Sequence, residues 1–389
     1  MMKVKKILQS YFKRSFQLIF KLIYGSIKLG IDLSKIKKKI LVIGSAGYIG
    51  SVLIKNLKQK LDLNEYQILG VDTNWYSKNL EINKYNSYLP EIMYNYDCRN
   101  INLKNLNINP KVIVFLAAVS NDPMGNRFKK ATSEINTSSC IRLAKQAKTI
   151  GVKKFIFASS CSIYGSSGNT SRKENDPIDP LTDYAVSKVR SEEGLEKISD
   201  NNFQVISLRF ATAAGYSPKL RLDLVFNDFV ASATDNKFIK ILSDGSAWRP
   251  LIHVDDISKA ILWSIKEKQN LSFLPINIGS DLWTFKIINL AKAISKIIKN
   301  TSISVSKKKI VDKRSYTVNF ELFKKLAPRY QPRASFKNAT LFLQMKLKEN
   351  NLDLFNFRKS KELIRLNTLN DLIEKKYLNK QLFWKKLIK

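Results

Sequence analysis

A tyrosine and a lysine four positions apart are the residues of this 389-residue chain whose types and spacing best suit acid–base chemistry. On a helix, Tyr184 and Lys188 would share one face, because residues i and i+4 are neighbours there. A lysine ammonium favours the phenolate, so we predict that Lys188 lowers the pKa of Tyr184 and that the phenol serves as general acid or base. Ser160, which ends an apolar run 24 residues earlier, is predicted to hydrogen-bond the same substrate oxygen.

The stretch LVIGSAGYIG carries three glycines three positions apart, directly after an apolar run. Gly44 allows a tight turn, Gly47 lets the backbone approach a pyrophosphate, and Gly50 lets a helix pack closely on the strand. The N-terminus of that helix, which includes Tyr48 and Ile49, supplies N–H groups and a partial positive charge to an anion. A strand, a glycine loop and a helix in this order predict a dinucleotide site.

An acidic residue follows this loop at a distance typical of dinucleotide folds. Asp72 stands 22 residues after Gly50, at the end of the second apolar run, ILGVD. A carboxylate at this place accepts hydrogen bonds from the adenosine ribose hydroxyls and repels a 2′-phosphate, so NAD is predicted rather than NADP. Tyr184 and Lys188 would then lie beside the nicotinamide ribose, with Lys188 hydrogen-bonded to it.

Apolar runs alternate with helical patterns from Lys39 onward, and these elements would position both motifs. KILVIG, YQILGV, KVIVFLAA, KKFIFASS and FQVISLRF indicate buried strands, and residues 127–149 and 181–198 indicate helices. The alternation predicts an α/β fold with a Rossmann-type doubly wound parallel sheet. After about Gly215, prolines and shorter elements predict a smaller C-terminal α/β substrate lobe.

Three regions are therefore expected along the chain. They are a basic N-terminal extension over 1–38, an NAD-binding Rossmann domain over 39–214 with returning elements near 251–280, and a part over 215–389 that is mainly substrate-binding lobe and C-terminal tail. The tail from about residue 350 has weak helical character and many lysines, and its sequence indicates no chemistry.

The glycine spacing GxxGxxG, with YxxxK farther along, resembles the extended short-chain dehydrogenase/reductase family, in its NAD-dependent nucleotide-sugar epimerase/dehydratase group. The resemblance runs in order over about residues 39–380. It implies further cofactor contacts from Asp97 and Cys98 in YDCR, where the aspartate caps the adenine amino group, and from Ala117 and Ala118 in FLAA. It also implies a structural role for Asn136, while Phe115 stands where the family often has a histidine.

The residues around Ser160 narrow the reaction that this resemblance implies. Alignment of FASSCSIYG with the family motif selects Ser160 over the neighbouring Ser159. The family's 4,6-dehydratases carry an Asp-Glu pair directly after this position and its decarboxylases a Glu two places on, whereas this chain has Cys161 and Ser162. These differences favour epimerisation through a transient ketone, and leave open a nucleotide keto-sugar reductase or dehydrogenase.

The resemblance also implies where a nucleotide sugar would bind. Asn227 matches a residue that hydrogen-bonds the nucleotide-sugar phosphate, and Arg249 and Arg314 lie in segments that grip the diphosphate. Lys219 and Arg221 are further candidates for the same contact. For the single histidine, His253, a structural role is favoured over that of a base.

Composition excludes several other kinds of site. The net charge is +35, but residues 1–39 hold 11 basic against 1 acidic residue and residues 306–389 hold 22 against 7. We favour a compositional drift toward Lys, Asn and Ile over a nucleic-acid surface, since no aromatic-rich nucleic-acid motif is present. Three scattered cysteines and one histidine predict a reducing, cytoplasmic setting without a disulfide framework or a metal site.

The N-terminal extension and the assembly state remain open at this level. No uncharged run in residues 1–38 approaches the length of a membrane span. An amphipathic helix on an anionic membrane surface and an extension packed on protein both fit, and we favour the second. The resemblance implies a homodimer that pairs helices 127–149 and 181–198. A non-catalytic dinucleotide sensor at a membrane or on RNA is the alternative class, but such a sensor would need no proton donor such as Tyr184.

Overall fold

The structure is a computed structural model, which describes residues 37–76, 86–267, 270–306, 312–350 and 352–385. The basic extension over 1–38 and its expected membrane contact therefore fall almost wholly outside the described residues. Within the described ranges, no helix is both long enough and apolar enough to cross a membrane.

The described residues form fourteen β-strands, five of which are those that sequence patterns indicate, with ends within a few residues of those expected. They are β1 (Lys38–Ile43), β2 (Tyr66–Asp72), β3 (Ile92–Asn95), β4 (Pro110–Phe115), β5 (Lys154–Ser160), β6 (Ser166–Arg172), β7 (Gln204–Phe210), β8 (Thr212–Ala214), β9 (Phe238–Ile241), β10 (Trp248–His253), β11 (Phe273–Ile278), β12 (Thr284–Lys286), β13 (Ser302–Val305) and β14 (Ser315–Val318).

Seven of these strands form one parallel sheet across the described residues, in the order β11-β7-β5-β4-β1-β2-β3. The strand order reverses beside β1, whose neighbours are β2 and β4. In such sheets, ligands bind at the carboxyl ends of the strands beside this switch point. The structure thus confirms the predicted Rossmann-type α/β fold, and β11 is a returning element of the expected kind.

The described residues form eleven α-helices, of which some pack on the two faces of this sheet and others belong to a smaller lobe. They are α1 (Tyr48–Lys60), α2 (Asp122–Arg127), α3 (Lys129–Thr132), α4 (Ser139–Thr149), α5 (Asp183–Glu196), α6 (Val225–Asp235), α7 (Val254–Lys266), α8 (Ile287–Ile297), α9 (Glu321–Leu326), α10 (Phe336–Glu349) and α11 (Arg365–Glu374). Side chains along β1 alternate between two cores: Ile40 packs with α1 and α7, and Leu41 packs with α4 and α11. Both faces are therefore buried, which explains the continuous apolar strands.

The helix expected over 127–149 is interrupted. A π-helix at Ser133–Ser138 separates α3 from α4, and Asn136 lies within it. The Asn136 side chain accepts a hydrogen bond from Val119 N at 2.8 Å, and donates to Val119 O at 3.1 Å and to Ser187 Oγ at 2.9 Å. Asn136 therefore ties the loop after β4 to α5, as expected of a structural asparagine.

A smaller lobe follows β7 and has its own core. It contains the sheet β12-β10-β8, the pair β13-β9 and the pair β14-β6. Helices α6, α8 and α10 enclose a separate apolar cluster that includes Phe226, Leu290 and Leu343. The last helix, α11, instead joins the core beside β1 and β2 through Leu369 and Leu372. The C-terminal tail thus crosses from the small lobe back to the Rossmann sheet.

Candidate active site

The glycine loop after β1 has the close packing that its sequence indicates. Gly44 has a φ of +91°, and a Cβ added there would lie 2.6 Å from Ala117 N. A Cβ on Gly50 would lie 2.2 Å from Gly44 O. Both distances are too short for any side chain, so only glycine allows β1, β4 and the start of α1 to meet at this point.

A cleft opens at this loop, on the carboxyl edge of the sheet. Gly47 is the N-cap of α1, and no side chain caps this helix end. Its backbone N–H groups and dipole therefore favour a bound anion. The cofactor residues expected at this end line the cleft together: Gly44, Gly47, Tyr48, Ile49, Gly50, Asp72, Asp97, Cys98, Ala117 and Ala118. A glycine loop with no room for a Cβ, beside a helix N-terminus without a capping side chain, fits a dinucleotide pyrophosphate.

Asp72 lies at the end of β2, where the ribose contact is expected. Its carboxylate accepts hydrogen bonds from Ala46 N at 3.0 Å and from Asn74 N at 2.9 Å. Burial raises the pKa of Asp72, while these bonds and the charges of Arg365 and Lys219 act in the opposite direction. Each oxygen retains acceptor capacity for a ribose hydroxyl.

Asp97 and Cys98 line the same cleft, but the carboxylate of Asp97 is already engaged. Arg99 donates to it through Nε at 2.9 Å, and a second bond runs from an Nη at 2.5 Å. The adenine contact expected of Asp97 therefore stays a prediction. Cys98 is buried, and burial raises the pKa of its thiol to about 12.

A second, larger cleft adjoins the first and contains the predicted acid–base residues. The two clefts share several lining residues, among them Ile49, Leu116 and Ala118. Tyr184 and Lys188 line the second cleft from the first turns of α5, which begins where Thr182 Oγ1 accepts a hydrogen bond from Ala185 N. A dinucleotide in the first cleft would thus reach the phenol in the second.

The electrostatics of Tyr184 differ from the sequence-based expectation. Burial raises the pKa of Tyr184, and the hydrogen bond with Ser160 acts against that rise. The Lys188 ammonium donates to Ala158 O at 2.7 Å, and burial lowers the pKa of Lys188 to about 8. Desolvation is thus the largest influence on the pKa of Tyr184 in this structure, and the lowering of that pKa by Lys188 stays a prediction.

Ser160 lies at the end of β5 within reach of the phenol. Its Oγ accepts a hydrogen bond from Ser162 N at 3.1 Å and donates to Ser162 Oγ at 2.9 Å. The competing hydroxyl, Ser159, also lines the cleft, and its buried Oγ has no hydrogen-bond partner. The hydrogen bond between Ser160 and Tyr184 favours Ser160 as the hydroxyl that acts with the phenol.

Arg249 and Arg314 lie together at the far end of the second cleft, joined by Asp312. Arg249 binds this carboxylate at 2.7 Å, and Arg314 binds it at 2.9 Å through Nε and through an Nη. Arg314 also pairs with Asp122. The structure thus brings both expected diphosphate arginines to one place, and shows carboxylates that hold them there.

Asn227, expected at the substrate phosphate, lies behind the wall of the second cleft in this structure. Its side chain is fully buried and does not line the cleft, because the loop before α6 closes over it. The amide accepts from Gly215 N at 2.9 Å and donates to Arg221 O at 2.9 Å and Gly215 O at 3.1 Å. Asn227 therefore holds the loop that carries Arg221, and its contact with a substrate phosphate stays a prediction.

Of the remaining candidates, Arg221 lines the two clefts, whereas Lys219 and His253 make contacts within the protein. Arg221 lines both clefts and pairs with Asp223 at 2.8 Å. Lys219 donates from Nζ to Tyr76 O at 3.0 Å. His253 is the N-cap of α7, where Nδ1 accepts from Asp255 N at 3.3 Å, and burial lowers its pKa. This cap supports the structural role favoured for His253.

Sequence reasoning missed Arg365. This first residue of α11 lines the dinucleotide cleft although it lies 293 residues after Asp72 in the chain. The tail around it carries many other lysines and arginines, so no local pattern distinguishes Arg365. Only the return of the tail to the Rossmann sheet places it in the site.

The fold and the two clefts define a Rossmann-type dinucleotide-binding protein. Ser160, Tyr184 and Lys188 line the cleft that adjoins its dinucleotide cleft. Comparison with known proteins agrees with this class. The chain belongs to the NAD dependent epimerase/dehydratase family, whose sequence model matches residues 40–279. NAD is therefore the dinucleotide for the first cleft, as Asp72 predicts.

Named relatives fall within this group. The chain is 29% identical over 269 residues to "Uncharacterized UDP-glucose epimerase YtcB" of Bacillus subtilis (strain 168), covering 66% of this chain and 82% of the relative. It is 26% identical over 272 residues to the human dTDP-D-glucose 4,6-dehydratase, covering 68% and 75%. Sequence similarity alone thus spans both epimerases and dehydratases.

Solved structures share the fold. UDP-glucuronic acid 4-epimerase from Bacillus cereus, in complex with UDP-glucuronic acid and NAD, superposes with a TM-score of 0.68 at 23% identity, covering 80% of this chain and 99% of that chain. UDP-N-acetylglucosamine 4-epimerase from Methanobrevibacter ruminantium M1 gives a TM-score of 0.70 at 19% identity, covering 81% and 99%.

Proposed function

We propose that this protein is an NAD-dependent epimerase that inverts a hydroxyl-bearing carbon of a nucleotide-activated sugar. The observation that carries the proposal concerns the charged groups of the second cleft. Among the described residues that line it, every carboxylate pairs with an arginine: Asp122 with Arg314, Asp223 with Arg221, Asp228 with Arg358, and Asp312 with Arg249 and Arg314. Two phenols also line this cleft, Tyr184 and Tyr316, and Tyr184, with Lys188 behind it, is the proposed group that exchanges a proton with a substrate.

The proposed chemistry assigns one proton to Tyr184. When a sugar alcohol is oxidised, the hydroxyl proton passes to Tyr184 in its phenolate form, which becomes the neutral phenol, and the carbon-bound hydrogen leaves as hydride. NAD, when bound, accepts that hydride and returns it to the opposite face of the ketone. On return, Tyr184 gives its proton back to the sugar oxygen, so no atom is gained or lost.

The environment of Tyr184 suits both directions of this exchange. Burial keeps the phenol protonated at neutral pH, ready to donate to a ketone oxygen. To accept a proton, the phenolate must be stabilised, and the Ser160 hydroxyl and the nearby Lys188 ammonium are placed to do this. Ser160 would also hydrogen-bond the reacting oxygen as its charge changes.

The groups beside Ser160 support epimerisation over dehydration. Elimination of water requires a carboxylic acid and a base near the reacting carbon. Cys161 is fully buried, with its thiol donating to Arg209 O at 3.0 Å, and Ser162 lines the cleft with a hydroxyl. Neither position supplies a carboxyl group.

Substrate binding is proposed at the arginine end of the second cleft. Arg249 and Arg314 would bind the diphosphate of the nucleotide sugar, exchanging part of their contact with Asp312 for phosphate oxygens. The structural neighbours were solved with UDP sugars, which carry such a diphosphate. We also propose a homodimer, with α4 and α5 at the interface; sedimentation of the full chain tests this directly.

The test is incubation of the protein and NAD with a panel of UDP, dTDP, GDP and CDP sugars in D2O, followed by NMR. We expect one sugar to convert to its epimer without deuterium at carbon, because the hydride returns from the cofactor. Deuterium incorporation with loss of water would instead identify a dehydratase. Net consumption of NAD or NADH would identify the alternative, a keto-sugar reductase or dehydrogenase.

A non-catalytic role is the second alternative, and the same panel addresses it. If NAD binds and no nucleotide sugar turns over, liposome flotation and a salt-dependent RNA shift become the deciding measurements. Strong RNA or vesicle binding without turnover would replace the epimerase proposal.

A further inference from the structure

The C-terminal tail is docked on the Rossmann sheet at the adenosine end of the dinucleotide cleft. Trp384 Nε1 donates to Thr73 O at 2.8 Å, directly after Asp72. Arg99 donates to Gln381 O at 2.6 Å and to Leu382 O at 3.0 Å. Leu378 and Leu382 are buried in the same core as β1 and β2. These contacts hold the beginning of α11 in a defined place beside the cleft.

Arg365 is the residue that this tail brings to the cleft. It is 6% exposed, and its guanidinium carbon lies 3.8 Å from the ring centroid of Tyr76. Its Nε is buried without a hydrogen-bond partner, and no carboxylate of the described residues forms an ion pair with it. Tyr76 hydrogen-bonds the guanidinium, and Asp72 and Asp223 are near enough to interact with its charge, but neither carboxylate forms an ion pair with it. A buried guanidinium without a direct ion pair is costly, so its place in a cleft favours a bound anion there.

The surrounding charges also favour an anion. Arg221 lines the same cleft and is balanced by Asp223, which leaves the charge of Arg365 in excess. Asp72 is the other carboxylate nearby, and its own bonds go to backbone N–H groups. The uncapped N-terminus of α1, which lines the same cleft, adds a partial positive charge.

We propose that Arg365 binds the diphosphate of the dinucleotide, so that the C-terminal tail forms one wall of the cofactor site. Arg365 lines only the first cleft, whereas the proposed substrate arginines line only the second, and this assigns it to the cofactor. This role of Arg365 requires that NAD binds in the first cleft, and it is the same whichever sugar is the substrate.

Titration calorimetry on the full chain tests this role, with NAD, ADP-ribose and adenosine as ligands. For Arg365→Gln we expect NAD and ADP-ribose to bind about 10- to 100-fold more weakly, since a charged hydrogen bond to phosphate is lost. Adenosine, which lacks phosphate, should bind as to wild type. Lys375→Gln, which removes an exposed charge at the C-cap of the same helix, is the control and should bind all three ligands unchanged.

Thermal unfolding separates this role from a structural one. Without ligand, Arg365→Gln should unfold at the wild-type temperature or higher, because a buried unpaired charge is removed, and its gain in Tm on adding NAD should be smaller. If that variant does not fold, Arg365→Lys keeps the charge, loses the planar fork, and should weaken NAD at unchanged ligand-free Tm. NAD affinity within twofold of wild type, or an equal loss for adenosine, would overturn the proposal.

Discussion

The Lys188 ammonium lies 5.6 Å from the ring centroid of Tyr184 and is held there by a hydrogen bond of 2.7 Å to Ala158 O. The carbonyl belongs to β5 and the two side chains to α5, so the sheet itself fixes the lysine behind the phenol. Lys188 also lies 4.8 Å from the Phe157 ring centroid, which leaves the ammonium enclosed and explains its low pKa. We expect changes in this site, and in the residues that hold it in place, to have the following effects.

Replacing Tyr184 by Phe should remove turnover while NAD binding persists. The variant loses the group that exchanges the proton, and we expect a fall in kcat of about 100- to 10,000-fold on the sugar found in the panel. The glycine loop is untouched, so the Kd for NAD should stay within about threefold of wild type. Tyr316→Phe removes another buried phenol from the same cleft and should cost far less activity. Wild-type turnover by Tyr184→Phe would disprove the assignment.

The stability difference between wild type and Lys188→Met should depend on pH. The lysine pKa is about 8 in the fold and near 10.5 when unfolded, so between these values the unfolded chain binds more protons. Wild-type stability should therefore rise relative to the variant as pH increases from 7 to 10, by about 3 kcal/mol in total. Urea unfolding of both proteins at several pH values measures this. A difference that stays flat over the range would contradict the buried, charged lysine.

Asp72→Asn should reverse part of the preference for NAD over NADP. The amide no longer repels a 2′-phosphate, and the charges of Lys219 and Arg365 act on this site. We expect NAD to bind about tenfold more weakly and NADP more tightly, as measured by calorimetry with each cofactor. Asp62→Asn, which removes an exposed carboxylate before β2, should leave both affinities unchanged. An unaltered ratio of the two affinities in Asp72→Asn would argue against the ribose contact.

Asn136→Ala should destabilise the fold by about 3 kcal/mol, because it leaves a buried N–H, a buried carbonyl and a buried hydroxyl with fewer partners. The neighbouring Thr137→Ala loses one bond, from Oγ1 to Ser187 O at 3.0 Å, and should cost about 1 kcal/mol. Urea unfolding of the two variants beside wild type gives both values. Equal costs for the two changes would show that the asparagine is not the main tie between the loop and α5.

Features that depend on neighbouring residues could be predicted from the sequence. The glycine loop could be recognised because turn geometry and helix packing are decided within ten residues, and the structure shows the close contacts at Gly44 and Gly50. Tyr184 and Lys188 share a face because four residues make about one turn of helix. The parallel sheet followed from the alternation of apolar strands and helices.

Features that depend on burial and on distant partners could not be predicted in this way. The pKa of Tyr184 rises because the folded chain removes water from it. Asn227 is a loop support because its partners, fixed by folding, leave it no free donor. The family resemblance implied that Arg249 and Arg314 lie near one diphosphate, but it did not indicate that Asp312, more than 60 residues after Arg249, joins them.

The sequence by itself determined the glycine loop, the acid at the end of the second strand, the Tyr184–Lys188 spacing and the class of fold, because each depends on residues that are close together in the chain. Only the tertiary structure decided which cleft carboxylates pair with arginines and that Arg365 lines the first cleft. The physical reason is that electrostatic and desolvation energies depend on distance through space, and chain order says little about which charges fold to within a few ångströms of one another.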